Sequence, residues 1–423
     1  MGSTSYWQAE TDSHAPPAPP PSPLAGDVTA DVLVIGAGIT GTAAALWLAR
    51  EGARVVVLEG RAVAASASGR NGGFLLGGTA DTYAATIARH GRALARRAWA
   101  FSVQNQRLAA DLLEELAWNG WSCGYQRNGS MLLAANESEL EAIWESIRLL
   151  LEDGYEAVQL DAGELPSRIR GTYLGGAYHP SDGEVQPAQL VRGLAYLARR
   201  SGAIIYEGST VTGLVEAGAE VVARTPGGTV RAGHAVLATN ARLPELLDQV
   251  GASWLGARVR PTRGQVLATA PVKEEVFTCP CYADEGYQYW RQLPDGRLVV
   301  GGWRNRSFDT EYTDDETPGP PIQDHLERFL RQTLRLAPDV APVTHRWAGT
   351  MAFSDDRLPL VGHVPGSSRC YVSGAYTGHG NANALAAARV VSDLIRGGAH
   401  PDADLFDPAR LATVTARAPE RGM

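Results

Sequence analysis

The chain has 423 residues, enough for two domains with separate cores, and an ordinary globular composition of 44% apolar and 20% charged residues. A net charge of -8 and a pI near 5.7 argue against nucleic acid, whose usual footprint is a basic stripe, and equally against an anionic membrane surface. Four cysteines in so long a chain make no disulfide framework and lack metal-ligand spacing, so we expect reduced thiols, no metal and a cytoplasmic setting.

Residues 1–30 carry no Lys or Arg to begin an export signal, and Pro16 to Pro23 reads as an extended arm within residues 1–26. Asp31-Val-Leu-Val-Ile35 is a short β-branched run, as in a buried parallel strand. Gly36-Ala-Gly38-Ile39-Thr40-Gly41 follows, then a helical stretch to Arg50 closed by Gly52, then a second strand ending at Glu59. The uncharged run from Val32 to Ala49 is thus read as part of a nucleotide-binding βαβ unit, and no membrane span is expected. Gly36 permits the tight turn, Gly38 lets backbone approach a pyrophosphate, and Gly41 lets helix pack on strand. The helix N-terminus attracts phosphate. Glu59 stands where a carboxylate accepts ribose hydroxyls and repels a 2′-phosphate, with Gly60 and Arg61 beside it, so NADP is disfavoured.

Small polar residues follow in Ser66-Ala-Ser68-Gly69-Arg70-Asn71-Gly72-Gly73, and a second such string, Gly374-Ala-Tyr376-Thr377-Gly378-His379-Gly380-Asn381, opens an Ala-rich helix over 382–396. Here the chain resembles the FAD-dependent amine and amino-acid oxidoreductases typified by D-amino acid oxidase, glycine oxidase and monomeric sarcosine oxidase. The first string resembles the branch containing gamma-glutamylputrescine oxidase. The resemblance implies that Val211 meets adenine, that Ala238, Thr239 and Asn240 end a strand against the cofactor, and that Gly349 lies in a late cofactor segment. Backbone N–H groups at Gly378 and Gly380, with His379 as a further donor, suit the flavin edge where negative charge develops. No other GxGxxG occurs to hold NADPH, so electrons are expected from the substrate.

The resemblance also exposes departures. Relatives hold a substrate carboxylate with an arginine, where this chain has Met351 or Phe74. Arg70, Arg291 and Arg304 remain alternatives for that role. Gly349 replaces the cysteine that tethers FAD in sarcosine oxidases, which implies non-covalent FAD. Val299 replaces an oxygen-activating lysine, and the chain's single lysine, Lys273, lies in a polar stretch expected at the surface. O2 or an electron carrier therefore both stand as acceptors.

Helical periodicity at 90–118 and 138–153 flanks an expected hairpin from Cys123 to Ala134. Strands are expected at 265–270, 286–292 and 297–303, and a helix at 323–336. Tyr287, Tyr289, Trp290, Trp303 and Tyr376 offer an aromatic box for a cationic amine, with Tyr287, Tyr289, Tyr376 and His379 as reaction-site residues. The expected class is α/β (α+β overall), a Rossmann-like FAD-binding domain (27–85, 186–245 and 346–400) interleaved with a mixed-β-sheet substrate domain (86–185 and 246–345), ending in a tail at 401–423. The sequence leaves the oligomeric state open.

Overall fold

A computed structural model describes residues 4–11 and 22–415. Most of the proline-rich arm and the last eight residues lie outside the described residues. Helix α1 (Tyr6–Thr11) comes first, then strand β1 (Val28–Ile35), helix α2 (Ile39–Arg50) and strand β2 (Val55–Leu58). After helices α3 (Arg92–Trp118), α4 (Glu137–Glu152) and α5 (Pro187–Arg200), strands β3 (Ile204–Tyr206) and β4 (Gly228–Leu237) return to the first sheet. Strands β5 (Val259–Thr269), β6 (Gln288–Gln292), β7 (Leu298–Gly302) and β8 (Val343–Ser354) follow, then β9 (Leu360–His363), β10 (Cys370–Gly374) and helix α6 (Gly380–Ile395).

The main path of the eight-stranded first sheet runs β9-β10-β4-β1-β2-β3, parallel except for edge strand β9. Two further strands extend it antiparallel from β4: Glu220–Thr225 pairs with β4, and Gly213–Ala217 pairs with Glu220–Thr225. Strand β1 is buried on both faces: Val32 and Val34 join the core under α2, α5 and α6, while Leu33 and Ile35 join a second core on the opposite side. That two-sided burial explains its unbroken apolar run. The chain turns to β2 on one side of β1, and β4 lies on the other. The carboxyl ends of β1 and β4 therefore open a crevice at the switch point, where α/β sheets bind their ligands.

The second sheet has eight strands, including β8, β5, β7 and β6 in that order, and is antiparallel except where Cys281–Ala283 pairs with Ser130–Leu133. The expected strands and helices form, with ends shifted by a few residues. No hairpin forms between Cys123 and Ala134. Ser130–Leu133 instead pairs with Gly175–His179 and Cys281–Ala283, because its apolar side is covered by long-range partners. Strand β8 pairs with β5 from Val343 to Ser354, so the chain leaves the second sheet after Ser354 rather than at 346. Residues 401–415 pack back on the body through buried Leu405, Phe406 and Leu411 and an Arg410–Asp356 ion pair of 2.7 Å.

Among the described residues no helix is long and apolar enough to cross a membrane, and no cluster of His, Cys, Asp or Glu could hold a metal. All four cysteines are free and buried, and burial pushes the Cys123 thiol up to about 12.

Candidate active site

A cavity of about 810 Å³ runs from the crevice at β1 and β4 into the space between the two sheets. Its first part is built by the βαβ unit. At Gly36, with φ +104, a Cβ would stand 2.7 Å from the Ala238 carbonyl, so only glycine turns here. Gly41 and Gly69 lie outside the cavity lining: a Cβ at either would strike the carbonyl of Gly36 or Ala64. Gly73 is likewise outside, pressed on the Val185 carbonyl. Those three glycines let backbones approach each other, whereas Gly38, Ile39 and Thr40 face the cavity at the N-terminus of α2.

Glu59 accepts the N–H groups of Ala37 and Arg61, both at 2.8 Å, one on each carboxylate oxygen. Burial raises its pKa, and those two bonds hold it back down. With Gly60, Arg61 and Val211 alongside, this end fits a ribose and an adenine. The hydroxyl oxygen of Thr239 is buried without a partner, as it would be if a ligand completed its bonding. Ala238 and Asn240 line the same wall.

Deeper in, Ser68, Arg70, Asn71 and Gly72 face Gly349 on β8 and Gly378, His379 and Gly380 at the start of α6. Two helix N-termini, of α2 and α6, thus open on one cavity, and their partial positive charge suits a pyrophosphate and a flavin that gains negative charge. Asn381, absent from the sequence-based site, ties these segments together: its amide donates to Asn71 Oδ1 at 3.0 Å and to the Phe74 carbonyl at 3.2 Å. Burial, with Arg357 nearby, lowers the His379 pKa to about 4, so its imidazole is neutral at pH 7.

The far end is the aromatic wall of Phe74 and Tyr289, ring centroids 6.0 Å apart and edge to face, with Met351, Tyr282 and Leu76 completing it. The expected aromatic box does not form. Tyr287 lies just before β6, its ring covered by Arg304 at 4.3 Å and by Phe308, and it does not reach the cavity. Trp290 and Trp303 sit in the core of the second sheet, both against Phe329. Alternation along β6 sends Trp290 inward and Tyr289 to the cavity. Tyr376 lines the cavity, but its hydroxyl is held at 2.9 Å by both Thr40 and Ser373. Burial pushes the Tyr289 and Tyr376 phenols up to about 12, so neither is a base at neutral pH.

Of the three candidate arginines Arg304 lines the cavity, its guanidinium over the Tyr287 and Phe353 rings, while Arg70 and Arg291 bind backbone carbonyls. Arg70 donates to the carbonyls of Ala65 and Ala348, both at 2.8 Å. Arg291 donates to the carbonyls of Gly73 and Val185, stacks on Trp7, and does not line the cavity. Arg357 pairs with Asp81 at 2.9 Å.

Residues 31–394 match the family model described as FAD dependent oxidoreductase. The chain belongs to that family. It is 28% identical over 416 residues to the gamma-glutamylputrescine oxidoreductase of Escherichia coli (strain K12), covering 96% of this chain and 90% of the relative. It is 27% identical over 374 residues to the glycine oxidase of Geobacillus kaustophilus (strain HTA426), covering 86% and 92%. The crystal structure of glycine oxidase from Geobacillus kaustophilus superposes with a TM-score of 0.78 at 24% identity, over 90% of this chain and 99% of that one. This family member is therefore an FAD-dependent oxidoreductase, built on the glycine oxidase fold.

Proposed function

We propose that this enzyme oxidises an amine whose α-carbon bears no carboxylate, with FAD held non-covalently. The observation that carries the reading is the far wall of the cavity. Met351 and Phe74, at the two positions where relatives of this type carry a carboxylate-binding arginine, both line it. The similarity to a gamma-glutamylputrescine oxidoreductase supports an amine substrate. Gly36, Gly38, Glu59, Val211 and Thr239 would hold the dinucleotide, and residues 68–72 with 378–380 the flavin. FAD supplies a two-electron acceptor for hydride leaving the α-carbon.

The residues do the rest by placement. Tyr289 and Phe74 line this end, and a ring face turned to the incoming cation attracts it by about 1–2 kcal/mol once water is excluded. Desolvation against this wall favours the neutral amine, which alone can release hydride readily. Fixing the α-carbon against the cofactor contributes most of the rate, so no side chain is needed as a base. The product imine hydrolyses in water to an aldehyde or ketone plus ammonia or an amine. Electrons pass to O2, giving hydrogen peroxide.

A second reading, a dehydrogenase that passes electrons to a carrier, is favoured by one observation: Val299 is buried in β7 and Lys273 is exposed, so no lysine stands at the cavity. The free buried thiols fit a cytoplasmic setting. The test is anaerobic bleaching of the flavin's visible band by alkylamines, polyamines, glycine and D-amino acids, followed by peroxide measurement in air. Bleaching fastest with glycine or D-amino acids refutes the amine reading. Substrate loss without matching peroxide refutes the oxidase reading.

A further inference from the structure

We infer that two tryptophans, Trp7 and Trp347, are positioning residues that aim the backbone dipoles of residues 70–72 into the cavity. Trp347 Nε1 donates to the Arg70 carbonyl at 2.7 Å, and Trp7 Nε1 donates to the next carbonyl, that of Asn71, also at 2.7 Å. Both rings are fully buried and meet edge to face, centroids 6.4 Å apart. In a trans peptide the C=O and N–H point in opposite directions. Carbonyls drawn toward the indoles therefore turn the N–H groups of Asn71 and Gly72 the other way, and both residues line the cavity. The Gly73 N–H is engaged inside the loop by Asn71 Oδ1 at 2.7 Å.

Trp7 comes from α1, which precedes the family-matched residues 31–394. A six-residue helix has no stability of its own, so docking must order it. Tyr6 packs against His345 and Arg297, while two neighbouring side chains donate to the stretch that leads into this loop. Ser5 Oγ donates to the Gly69 carbonyl at 2.7 Å, and Gln8 Nε2 donates to those of Ala64 and Ala65 at 2.9 and 3.1 Å. From the other side Gln186 Nε2 donates to the Trp7 carbonyl at 2.7 Å, and the Arg291 guanidinium covers the indole at 4.8 Å. Helix α1 thus locks the loop's orientation from behind, in a dry setting where a fixed dipole acts strongly. Dipoles preset toward a flavin tighten its binding and favour its reduced, more negative form.

The inference rests on the flavin placement proposed above and not on the substrate. Its test uses Trp7→Phe, which keeps an aromatic ring while removing the N–H donor and part of the indole's bulk. The readouts are the FAD dissociation constant of the apoprotein and the reduction potential of the bound flavin by dye equilibration, neither of which involves turnover. One lost hydrogen bond predicts FAD binding weakened roughly three- to tenfold, with a lower potential, and Trp347→Phe the same signs. Ile169→Val, in the core of the second sheet, serves as a control that lowers Tm and leaves both readouts unchanged. If Trp7→Phe behaves like that control, the tryptophans only pack and the inference falls. Should Trp7→Phe fail to fold, Gln8→Ala must show the same two shifts or the inference falls equally. Gly38→Val separates the two levels: undiminished FAD binding in that variant overturns the flavin placement itself. Lost binding there, beside an unchanged Trp7→Phe, overturns the tryptophan role alone.

Discussion

Replacing Met351 by arginine should move the enzyme's preference toward α-amino acids. Met351 lies on β8 opposite Thr262. Its methyl is 3.0 Å from where a Cβ at Gly264 would stand, and its sulfur 3.7 Å from the same point at Gly378. The side chain therefore reaches from the sheet to the turn at Gly378, and an arginine rooted there would enter the same space. A charge-assisted hydrogen bond to carboxylate is worth about 1.5–3 kcal/mol, and a forked pair stands at the upper end before the guanidinium's own desolvation cost is taken off. A net gain near 1.5–3 kcal/mol converts to roughly a 10- to 150-fold rise in the rate ratio of D-alanine to n-butylamine. The measurement is the anaerobic rate of flavin reduction by each compound, in Met351→Arg and in the unaltered enzyme. A folded, FAD-loaded variant whose ratio moves less than twofold refutes the view that Met351 marks the missing carboxylate clamp.

Three further outcomes are expected. Tyr289→Ala should raise KM for a cationic amine about five- to thirtyfold, the loss of about 1–2 kcal/mol of cation–π attraction, while Tyr287→Phe leaves it unchanged because that ring is outside the cavity; steady-state kinetics on both variants decides. His379, lowered to about 4 by burial from an ordinary 6.5, binds its proton later in the folded than in the unfolded chain as pH falls. Its contribution is full above pH 6.5 and is lost as pH drops toward 4, to a limit of roughly 3 kcal/mol, so His379→Asn should flatten urea midpoints measured across that window. Glu316 pairs with Arg61 at 2.6 Å and with Arg70 at 3.8 Å, joining a loop after β7 to the dinucleotide end of the cavity. Glu316→Gln should quicken FAD release a few-fold and remove most of its salt dependence, since an ion pair half open to water is worth about 1 kcal/mol or less; an unchanged release rate in gel-filtration chase experiments would count against a latch.

The βαβ unit was legible because its physics is local: a two-sided strand, a glycine turn and a carboxylate at fixed spacing leave few alternatives. The strings at 66–73 and 374–381 were legible for a similar reason, being small, polar and without helical period. What stayed hidden depends on partners far away in the chain. Period-two alternation placed Tyr289 and Trp290 on opposite faces, yet only the fold reveals that Tyr287 precedes the strand and lies under Arg304. The hairpin reading of 123–134 failed because Ser130–Leu133 draws its pairing from strands some 45 and 150 residues away. Trp7 sits beside a proline-rich stretch that gives no sign of a docked helix, and nothing in its neighbours marks it as a donor to residue 71. Asn381 closes the string at 374–381, but its bond to Asn71 spans 310 residues.

The same contrast shows on a single strand beside the cavity, where Gly349 and Met351 both belong to the lining. On β8 the residues at spacing two are Trp347, Gly349 and Met351. Trp347 holds the Arg70 carbonyl, Gly349 lies where a Cβ would stand 3.0 Å from that of Arg70, and Met351 reaches toward Gly378. Strand alternation alone brings these three to one face. The direction in which these three positions face is therefore set by a single register against β5, where Gly264 opposes Gly349. A slip of one residue would turn all three away and present Ala348, Thr350 and Ala352 instead. The bulge in this pairing lies between Ala268 and Thr269, at the end remote from the cavity, so the irregularity is absorbed where it cannot disturb that face.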